Sequence, residues 1–230
     1  ENKDYYYDFD LLAEVYNQLI RSDELIESTE FAMQRLQSGQ KIGSFAQKAL
    51  HPVEELHKLY KLIKWFCPST ILEFGTCLGL SSLTMQCGAP NAKVYTVEGN
   101  SQFVQIARQI HTHVGYPQIQ TIQANFEEAI SNFRDKSLDC VFIDGDHTYT
   151  ATHQLINKIN PLLGKKSLII LDDIHWSSDM YKAWVEIRHS DFVHCSLETL
   201  RWGLLFTDPN LSPIHFNLIP SSFKIWQKFI

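Results

Sequence analysis

The sequence of 230 residues predicts an α/β fold built on a doubly wound, mostly parallel sheet of seven strands. Short apolar segments with a strand pattern alternate with helical segments from Thr70 to Ile174, and the connections between them are short. This alternation is typical of a parallel sheet covered by helices on both faces. Two more strand segments, 191–200 and 201–208, follow each other with almost no separation, which indicates an antiparallel hairpin at the C-terminal end of the sheet.

The N-terminal part of the chain is predicted to be helical and carries no motif. Apolar residues at mixed three- and four-residue spacing predict a helix over 10–37, and the segment 38–43 ends it. A second helix begins at His51–Pro52 and carries an apolar stripe. We therefore divide the chain into a helical extension, 1–50, which would act as a lid or an oligomer contact, and one α/β domain, 51–230.

The α/β domain is predicted from five strands and the helices between them. The strands, in chain order, are 70–75, 93–99, 119–125, 138–146 and 167–174, and the helices are 81–86, 101–110, 126–133 and 150–163. Each strand segment is short and largely apolar, as expected for strands buried on both faces. The carboxyl ends of such strands share one edge of the sheet, where ligands of open α/β sheets bind.

Composition excludes several classes of partner. The formal net charge is −6, and no run of Lys or Arg stands out, so we expect no nucleic-acid partner. No apolar segment is long enough to span a bilayer, and no signal peptide is recognisable, so we expect no membrane partner. Five scattered cysteines without a CxxC pair indicate reduced thiols and a cytoplasmic protein. A small-molecule partner fits this charge balance best.

The ends of the first two strands carry an acidic residue each. The first ends in Glu73, followed by a turn with Gly75 and Gly79, and Ser81 lies near the start of the next helix. Glu98 ends the second strand, where a carboxylate suits the two hydroxyls of a ribose. The glycine spacing is G-x-x-x-G and not the G-x-G-x-x-G of dinucleotide sites. An anion next to a pyrophosphate is unfavourable, so this turn favours a cationic ligand over NAD.

Two segments carry a resemblance to a known family. ILEFGTCLGLSS (71–82) resembles motif I of class I S-adenosylmethionine-dependent methyltransferases, in particular the catechol O-methyltransferase-like group. FIDGDHTY (142–149) is similar to the family that includes sugar and macrolide O-methyltransferases. The resemblance covers about Leu56 to Phe206. It implies a Rossmann-like methyltransferase fold, with S-adenosylmethionine contacted by Glu73, Gly75, Thr76, Gly79, Ser81, Glu98, Gly99, Asn125, Phe126 and Asp144.

Three aspartates follow the fourth and fifth strands. Asp144 follows the fourth, and Asp172 and Asp173 follow the fifth. Neighbouring strands lie about 4.8 Å apart, so these carboxylates would crowd one edge, and three uncompensated negative charges there are costly. A divalent cation such as Mg²⁺, Mn²⁺ or Ca²⁺ would resolve that cost. The resemblance implies the same ligands, since metal-dependent O-methyltransferases place aspartates at these positions.

A proton acceptor is also predicted near these aspartates. The D-D-x-H pattern is similar to that of metal-dependent macrolide sugar methyltransferases, which implies that His175 deprotonates the acceptor hydroxyl. His147 is a second candidate, although a role in ordering the Asp144 loop by hydrogen bonding is favoured for it. We expect Asp146 to cap the helix that follows.

Several other residues carry weaker expectations. Asn125 would either contact adenine or cap a helix. His111 and His113 are interpreted as surface residues. The aromatic side chains of Trp176, Tyr181, Trp184 and Trp202 would either wall the acceptor pocket or belong to the core.

These observations favour methyl transfer from S-adenosylmethionine to a hydroxyl of a small sugar or natural-product-like molecule, with a divalent metal assisting. A non-catalytic nucleoside-binding protein and an NAD-linked enzyme are the alternatives. A homo-oligomer through the N-terminal helices is compatible with the sequence.

Overall fold

A computed structural model describes residues 6–27, 38–134 and 136–219 of the chain. These residues fall into two compact units, the first within 1–126 and the second within 127–230. Among the described residues, no helix has both the length and the apolar character needed to cross a membrane. The predicted division at residues 50 and 51 stays a prediction.

The first unit holds a three-stranded parallel sheet and the helices around it. Its strands lie in the order β3-β2-β1. Its elements in chain order are α1 (Tyr7–Ile20), α2 (Ile42–Ala49), α3 (Val53–Phe66), β1 (Thr70–Phe74), α4 (Leu80–Gly88), β2 (Lys93–Glu98), α5 (Ser101–His113), β3 (Gln120–Gln123) and the start of α6 (Phe126–Ser131). The parallel register places Glu73 of β1 opposite Thr96 of β2. This pairing brings the two acidic strand ends side by side.

The second unit holds five strands in the order β4-β5-β7-β6-β8. Its elements are β4 (Leu138–Ile143), α7 (Tyr149–Ile159), a 3₁₀ turn (Asn160–Leu162), β5 (Leu163–Leu171), α8 (Ser178–Ile187), β6 (Cys195–Glu198), β7 (Gly203–Phe206) and β8 (His215–Asn217). β4 and β5 are parallel, whereas β7 is antiparallel to both β5 and β6. The predicted C-terminal hairpin is therefore confirmed.

The predicted α/β fold with a mostly parallel sheet is confirmed, and the described part of the chain forms eight strands where seven were expected. β8 pairs with β6 in parallel through a register that joins Leu197 to Phe216. Its three side chains are exposed, and so the segment lacks the apolar alternation from which the other strands were predicted.

The predicted helix over 10–37 is wrong in its second part. α1 ends at Ile20, and the backbone that follows pairs with a later segment: Ile26 N–H donates to Gln40 O, and Gly43 N–H donates to Ser22 O. These bonds, with an antiparallel bridge between Leu25 and Lys41, satisfy groups that a helix would otherwise pair internally. Residues 28–37 lie outside the described residues, and α2 was not predicted.

Local side chains explain where several helices begin. The Asn100 side chain accepts hydrogen bonds from Gln102 N–H and Phe103 N–H at the start of α5. Thr148 accepts from Ala151 N–H at the start of α7, and Ser177 accepts from Met180 N–H at the start of α8. These caps satisfy donors that a helix leaves unpaired in its first turn. The expectation that Asp146 would cap α7 is wrong, since Thr148 does so.

Candidate functional site

Glu73, near the end of β1, is a buried acidic residue. It is fully buried, and the Thr96 hydroxyl on β2 donates a hydrogen bond to its Oε2. Because Thr96 has a single hydroxyl proton, its short contact with Thr76 places the Thr76 hydroxyl as the donor to Thr96. A relay of hydroxyls thus runs from the turn after β1 to the carboxylate. A buried carboxylate of this kind favours a positive charge brought close to it.

The turn between β1 and α4 is tightly wound. Gly75, Cys77 and Gly79 have φ values of 104°, 48° and 86°, so three of its five residues have left-handed or related backbone. The amides of Gly75 and Thr76 both donate to Val97 O, at 3.0 and 3.1 Å, which fixes the turn against the end of β2. The two glycines are placed where conformational freedom is needed.

Gly79 is also required by packing. A Cβ atom there would lie 2.8 Å from Ala107 Cβ and 2.8 Å from His111 Nε2, both on α5. The structure therefore shows a steric requirement for glycine that the sequence did not reveal, because α5 packs directly against the turn.

Glu98 is held by the backbone of the neighbouring turns. Its Oε2 accepts from Cys77 N–H at 2.9 Å, and its Oε1 accepts from Asn100 N–H at 2.9 Å. Burial raises the pKa of Glu98, and the backbone hydrogen bonds from Asn100, Cys77 and Gly99 oppose that shift. Each carboxylate oxygen has a second lone pair. The carboxylate is thus oriented and still able to accept hydrogen bonds from a ligand.

The other predicted cofactor residues of the first unit have different degrees of burial. Ser81 is buried in the first turn of α4, and Gly99 is half-buried beside Glu98. Phe126 begins α6, and its ring packs edge-on against Phe74 at a centroid distance of 5.2 Å. Asn125 is half-buried immediately before it. All nine predicted cofactor residues before Asp144 thus lie on or just after β1, β2 and β3.

His111 corrects the interpretation of the α5 histidines. Its side chain is 1% exposed, and its Nε2 lies 2.9 Å from Gly79 O, to which it donates. Burial lowers the pKa of His111, so the ring is a neutral donor that fixes the back of the turn. Only His113 is exposed, as expected. The contact of His111 with Gly79 O could not be predicted from the sequence, because tertiary packing decides which face of α5 meets the turn.

Asp172, in the second unit, is paired with an arginine that the sequence reasoning missed. Asp172 is fully buried, and Arg201 donates to both of its oxygens: Nε to Oδ1 at 2.8 Å and Nη2 to Oδ2 at 2.8 Å. Arg201 Nη2 also lies 3.2 Å from Asp173 Oδ1. The premise of uncompensated carboxylates at this edge is therefore wrong. The metal assignment to Asp144, Asp172 and Asp173 loses the electrostatic reason on which it was based.

The pKa of Asp173 depends on burial and on the charges of Asp172 and Arg201. Asp173 has a φ of 50°, and burial and the nearby charge of Asp172 raise its pKa, whereas Arg201 and His147 oppose the rise. Carboxylate oxygens of Asp144 and Asp172 lie within 4.8 Å of each other. Asp144, Asp172 and Asp173 are thus close together, and the Arg201 guanidinium lies against the last two.

His147 lies against Asp144, as the preferred interpretation of the sequence expected. Its Nε2 is 3.5 Å from Asp144 Oδ1. Burial disfavours the charged ring, but the hydrogen bond and charge of Asp144, with smaller contributions from Asp173 and Asp172, outweigh burial and raise the pKa of His147. The arrangement orders the loop after β4 and favours an imidazolium.

His175 has the opposite electrostatic character. Burial lowers its pKa, although the charge of Glu198 and a hydrogen bond with the Thr199 backbone act against the shift. Its ring stacks on Tyr181 at 5.1 Å, and its Nε2 lies 3.4 Å from Glu198 Oε1. The neutral ring is the form that accepts a proton.

Glu198 is buried beside His175, and the sequence analysis did not predict a role for it. It is 1% exposed, and its Oε2 accepts from Trp184 Nε1 at 3.1 Å and from Arg188 Nη1 at 3.0 Å. The β6–β7 register places Glu198 opposite Gly203, and a Cβ at Gly203 would lie 2.5 Å from the Trp184 ring. The alternative that Trp184 is a core residue therefore holds.

The remaining aromatic candidates, Trp176, Tyr181 and Trp202, differ in their exposure to solvent. Trp202 is buried in the core, whereas the Trp176 side chain is 56% exposed and lies one residue beyond His175. Tyr181 is partly exposed and contacts the His175 ring. Of the four aromatic candidates, Trp176 and Tyr181 are thus the two that remain accessible near His175.

Comparison with known proteins agrees with this arrangement. Residues 72–174 match the model of a family described as a methyltransferase domain. The range begins inside β1, contains β2 to β5 with the predicted cofactor and metal residues, and ends one residue before His175. No curated protein matches the chain in sequence.

Solved structures of methyltransferases share the fold. An O-methyltransferase from Bacillus cereus, solved in complex with SAH, is 14% identical, with a TM-score of 0.65 over 90% of this chain and 93% of that one. The O-methyltransferase TomG from Streptomyces achromogenes, involved in tomaymycin synthesis and solved with SAM, is 13% identical (TM-score 0.64; 89% and 91% covered). The SAH-bound Podospora anserina methyltransferase PaMTH1 is 14% identical (TM-score 0.62; 90% and 100% covered).

Proposed function

We propose that this chain, a class I S-adenosylmethionine-dependent methyltransferase, transfers the methyl group to a hydroxyl oxygen of a small molecule. The observation that carries the proposal is the pair of oriented carboxylates, Glu73 and Glu98, at the ends of two adjacent parallel strands inside the matched domain. The O-methyltransferase neighbours support the choice of oxygen as the acceptor atom.

The first unit would bind the donor. Glu73 is fully buried, and it would hold the positively charged part of the ligand, beside which an anion is favourable. Glu98 accepts hydrogen bonds from the ribose hydroxyls, and its orientation by the amides of Cys77 and Asn100 lowers the entropy lost on binding. Asn125 and Phe126 would border the adenine. When bound, S-adenosylmethionine supplies a methyl group on a sulfonium.

The second unit would bind the acceptor and take its proton. His175 would accept the proton of the acceptor hydroxyl as that oxygen takes the methyl group, because its lowered pKa keeps the ring neutral. Trp176 and Tyr181 present aromatic faces that suit a sugar or aryl ring. His147 keeps the Asp144 loop ordered. We assign no step to a divalent cation, since Arg201 already pairs with two of the three aspartates that would hold it.

The test is direct. The purified chain is titrated with S-adenosylhomocysteine and with NAD by calorimetry, then incubated with methyl-labelled S-adenosylmethionine and a panel of catechols, flavonoids and sugars. We expect binding of S-adenosylhomocysteine alone, and a labelled methyl ether identified by mass spectrometry and NMR. Binding of NAD, or a product methylated only at nitrogen or carbon, would contradict the proposal.

The partners follow from the same proposal. We expect a small-molecule acceptor and neither a nucleic-acid nor a membrane partner, while cytoplasmic location and homo-oligomer formation stay predictions. Light scattering coupled to gel filtration measures the oligomeric state.

A further inference from the structure

The pairing of Asp172 and Asp173 with Arg201 bears on whether this edge of the second unit takes a metal ion at all. The residue types alone would suit a hard divalent cation, because carboxylate oxygens are its preferred ligands. The question is therefore what already compensates their charge.

Arg201 satisfies the geometry of a resident counter-ion. It donates to both oxygens of Asp172 at 2.8 Å, the two-pronged arrangement that is strongest between guanidinium and carboxylate, and it reaches Asp173 Oδ1 at 3.2 Å. Asp172 is fully buried, and Arg201 is 29% exposed. A guanidinium does not lose its proton in proteins, so this charge is permanent.

Backbone pairing between β5 and β7 places Arg201 next to Asp172. Leu171, the last residue of β5, pairs with Gly203, the first residue of β7, and Arg201 lies in the turn just before it. That turn is fixed by Thr199, whose Oγ1 accepts from Trp202 N–H at 2.8 Å and from Arg201 N–H at 3.3 Å. Ile174 N–H donates to Arg201 O at 3.1 Å, which ties the same turn to the chain after Asp173.

A divalent cation bound by Asp172 would meet this guanidinium within a few ångströms. Repulsion between the two positive charges opposes such binding, and it is weakly screened because Asp172 is buried. The carboxylate oxygens would also have to give up charge-assisted hydrogen bonds. The residues present thus fit an arginine better than a metal ion.

We infer that Arg201 takes the place of a divalent cation at the Asp172–Asp173 pair, so that this chain binds no divalent metal there and transfers methyl groups without one. The first part concerns binding and is independent of the proposed function, whereas the second part rests on it.

The experiment compares the wild-type protein with Arg201→Gln and with Arg188→Gln. The last variant is the matched control, because it removes another partly buried arginine of the same unit, paired with Glu198 and not with the aspartates. Mn²⁺ binding is followed by electron paramagnetic resonance of the free ion, and thermal unfolding verifies that each variant is folded. We expect no stoichiometric binding to wild-type or Arg188→Gln protein up to millimolar Mn²⁺, and at least tenfold tighter binding to Arg201→Gln.

Two results of the Mn²⁺ titration would overturn the inference. One is stoichiometric Mn²⁺ binding to the wild-type protein that Asp172→Asn abolishes, and the other is a folded Arg201→Gln that gains no binding. If Arg201→Gln does not fold, the inference is tested on the wild-type protein alone. The measurements are then the Mn²⁺ titration and the turnover rate in EDTA before and after Mg²⁺ is added. Turnover unchanged within twofold supports the inference, and a loss in EDTA restored by Mg²⁺ overturns it. A failure to bind S-adenosylhomocysteine would instead contradict the proposed function.

Discussion

Individual carboxylates of this protein are stabilised in different ways. Glu73 accepts from a threonine hydroxyl, Glu98 from backbone amides, and Asp172 from a guanidinium. The Thr96 hydroxyl and the backbone amides are neutral donors, whereas the Arg201 guanidinium carries a positive charge that compensates Asp172. The three carboxylates therefore differ in whether these donors bring a charge.

At the same scale, Glu98→Gln should weaken S-adenosylhomocysteine binding. The amide replaces one acceptor oxygen by a donor that faces a backbone N–H, and hydrogen bonds to charged groups contribute about 1.5–3 kcal/mol. We expect affinity to fall roughly 10- to 100-fold by calorimetry. Glu127→Gln, which alters the exposed pair with Lys158, is the control and should bind as wild type does. Equal affinities for all three proteins would remove Glu98 from the binding site.

His175→Ala tests the proposal that His175 accepts the hydroxyl proton. Loss of a general base typically lowers the rate of the chemical step by about 10²- to 10⁴-fold. Single-turnover methyl transfer should fall by that amount, while the dissociation constant for S-adenosylhomocysteine stays within about twofold of wild type. A wild-type rate would exclude His175 from the reaction.

The two histidines of the second unit should differ in pH dependence. The pKa of His147 is raised in the folded protein, so its stabilisation is complete below its unfolded value near ~6.5 and is lost as the pH rises through the folded value. The pKa of His175 is lowered, so stability is lost as the pH falls below ~6.5. NMR titration of the two rings should give pKa values on opposite sides of ~6.5, with His175 the lower. The reverse order would show that the assignment of their environments is wrong.

At the scale of elements, the turn between β1 and α4 depends on α5 behind it. Gly79→Ala should destabilise the protein more than Gly115→Ala. Both glycines have similar positive φ values, 86° and 87°, but a Cβ at Gly115 meets nothing within 4 Å. The left-handed backbone should cost roughly 1–2 kcal/mol in each variant, and overpacking should add about 1–3 kcal/mol at Gly79 alone. Urea unfolding measures the difference, and equal losses would refute the packing argument.

Most of the elements could be predicted from the sequence, since buried parallel strands appear as apolar segments between helices. The errors at α1 and β8 have one cause, which is pairing between distant segments. α1 ends early because residues 22–26 pair with 39–43, and β8 is defined by its pairing with β6. Arg201 was missed for the same reason: it is 29 residues from Asp172 and adjacent to it only through the β5–β7 register. The positions of Glu73 and Glu98 were predictable because both lie at strand ends: Glu98 is the last residue of β2, and Glu73 is the last but one of β1.

At the scale of the whole molecule, the nine predicted cofactor residues before Asp144 lie in the first unit, and the three aspartates, His147 and His175 lie in the second. Hydrogen exchange with and without S-adenosylhomocysteine should therefore show protection in peptides covering 73–81 and 96–101. Protection that extends to 143–148 would support the expected cofactor contact of Asp144. Peptides covering β8 serve as the internal control, and protection there but not in the first unit would contradict the assignment.

The ion pair between Asp172 and Arg201 has a consequence for how such an enzyme would respond to its surroundings. A charge encoded in the chain is delivered at synthesis in fixed stoichiometry, and neither chelators nor scarcity of an element remove it. Nor can it be exchanged for a different ion with altered reactivity. Catalytic competence would then depend on correct folding of one hairpin turn, and not on the ionic composition of the cell.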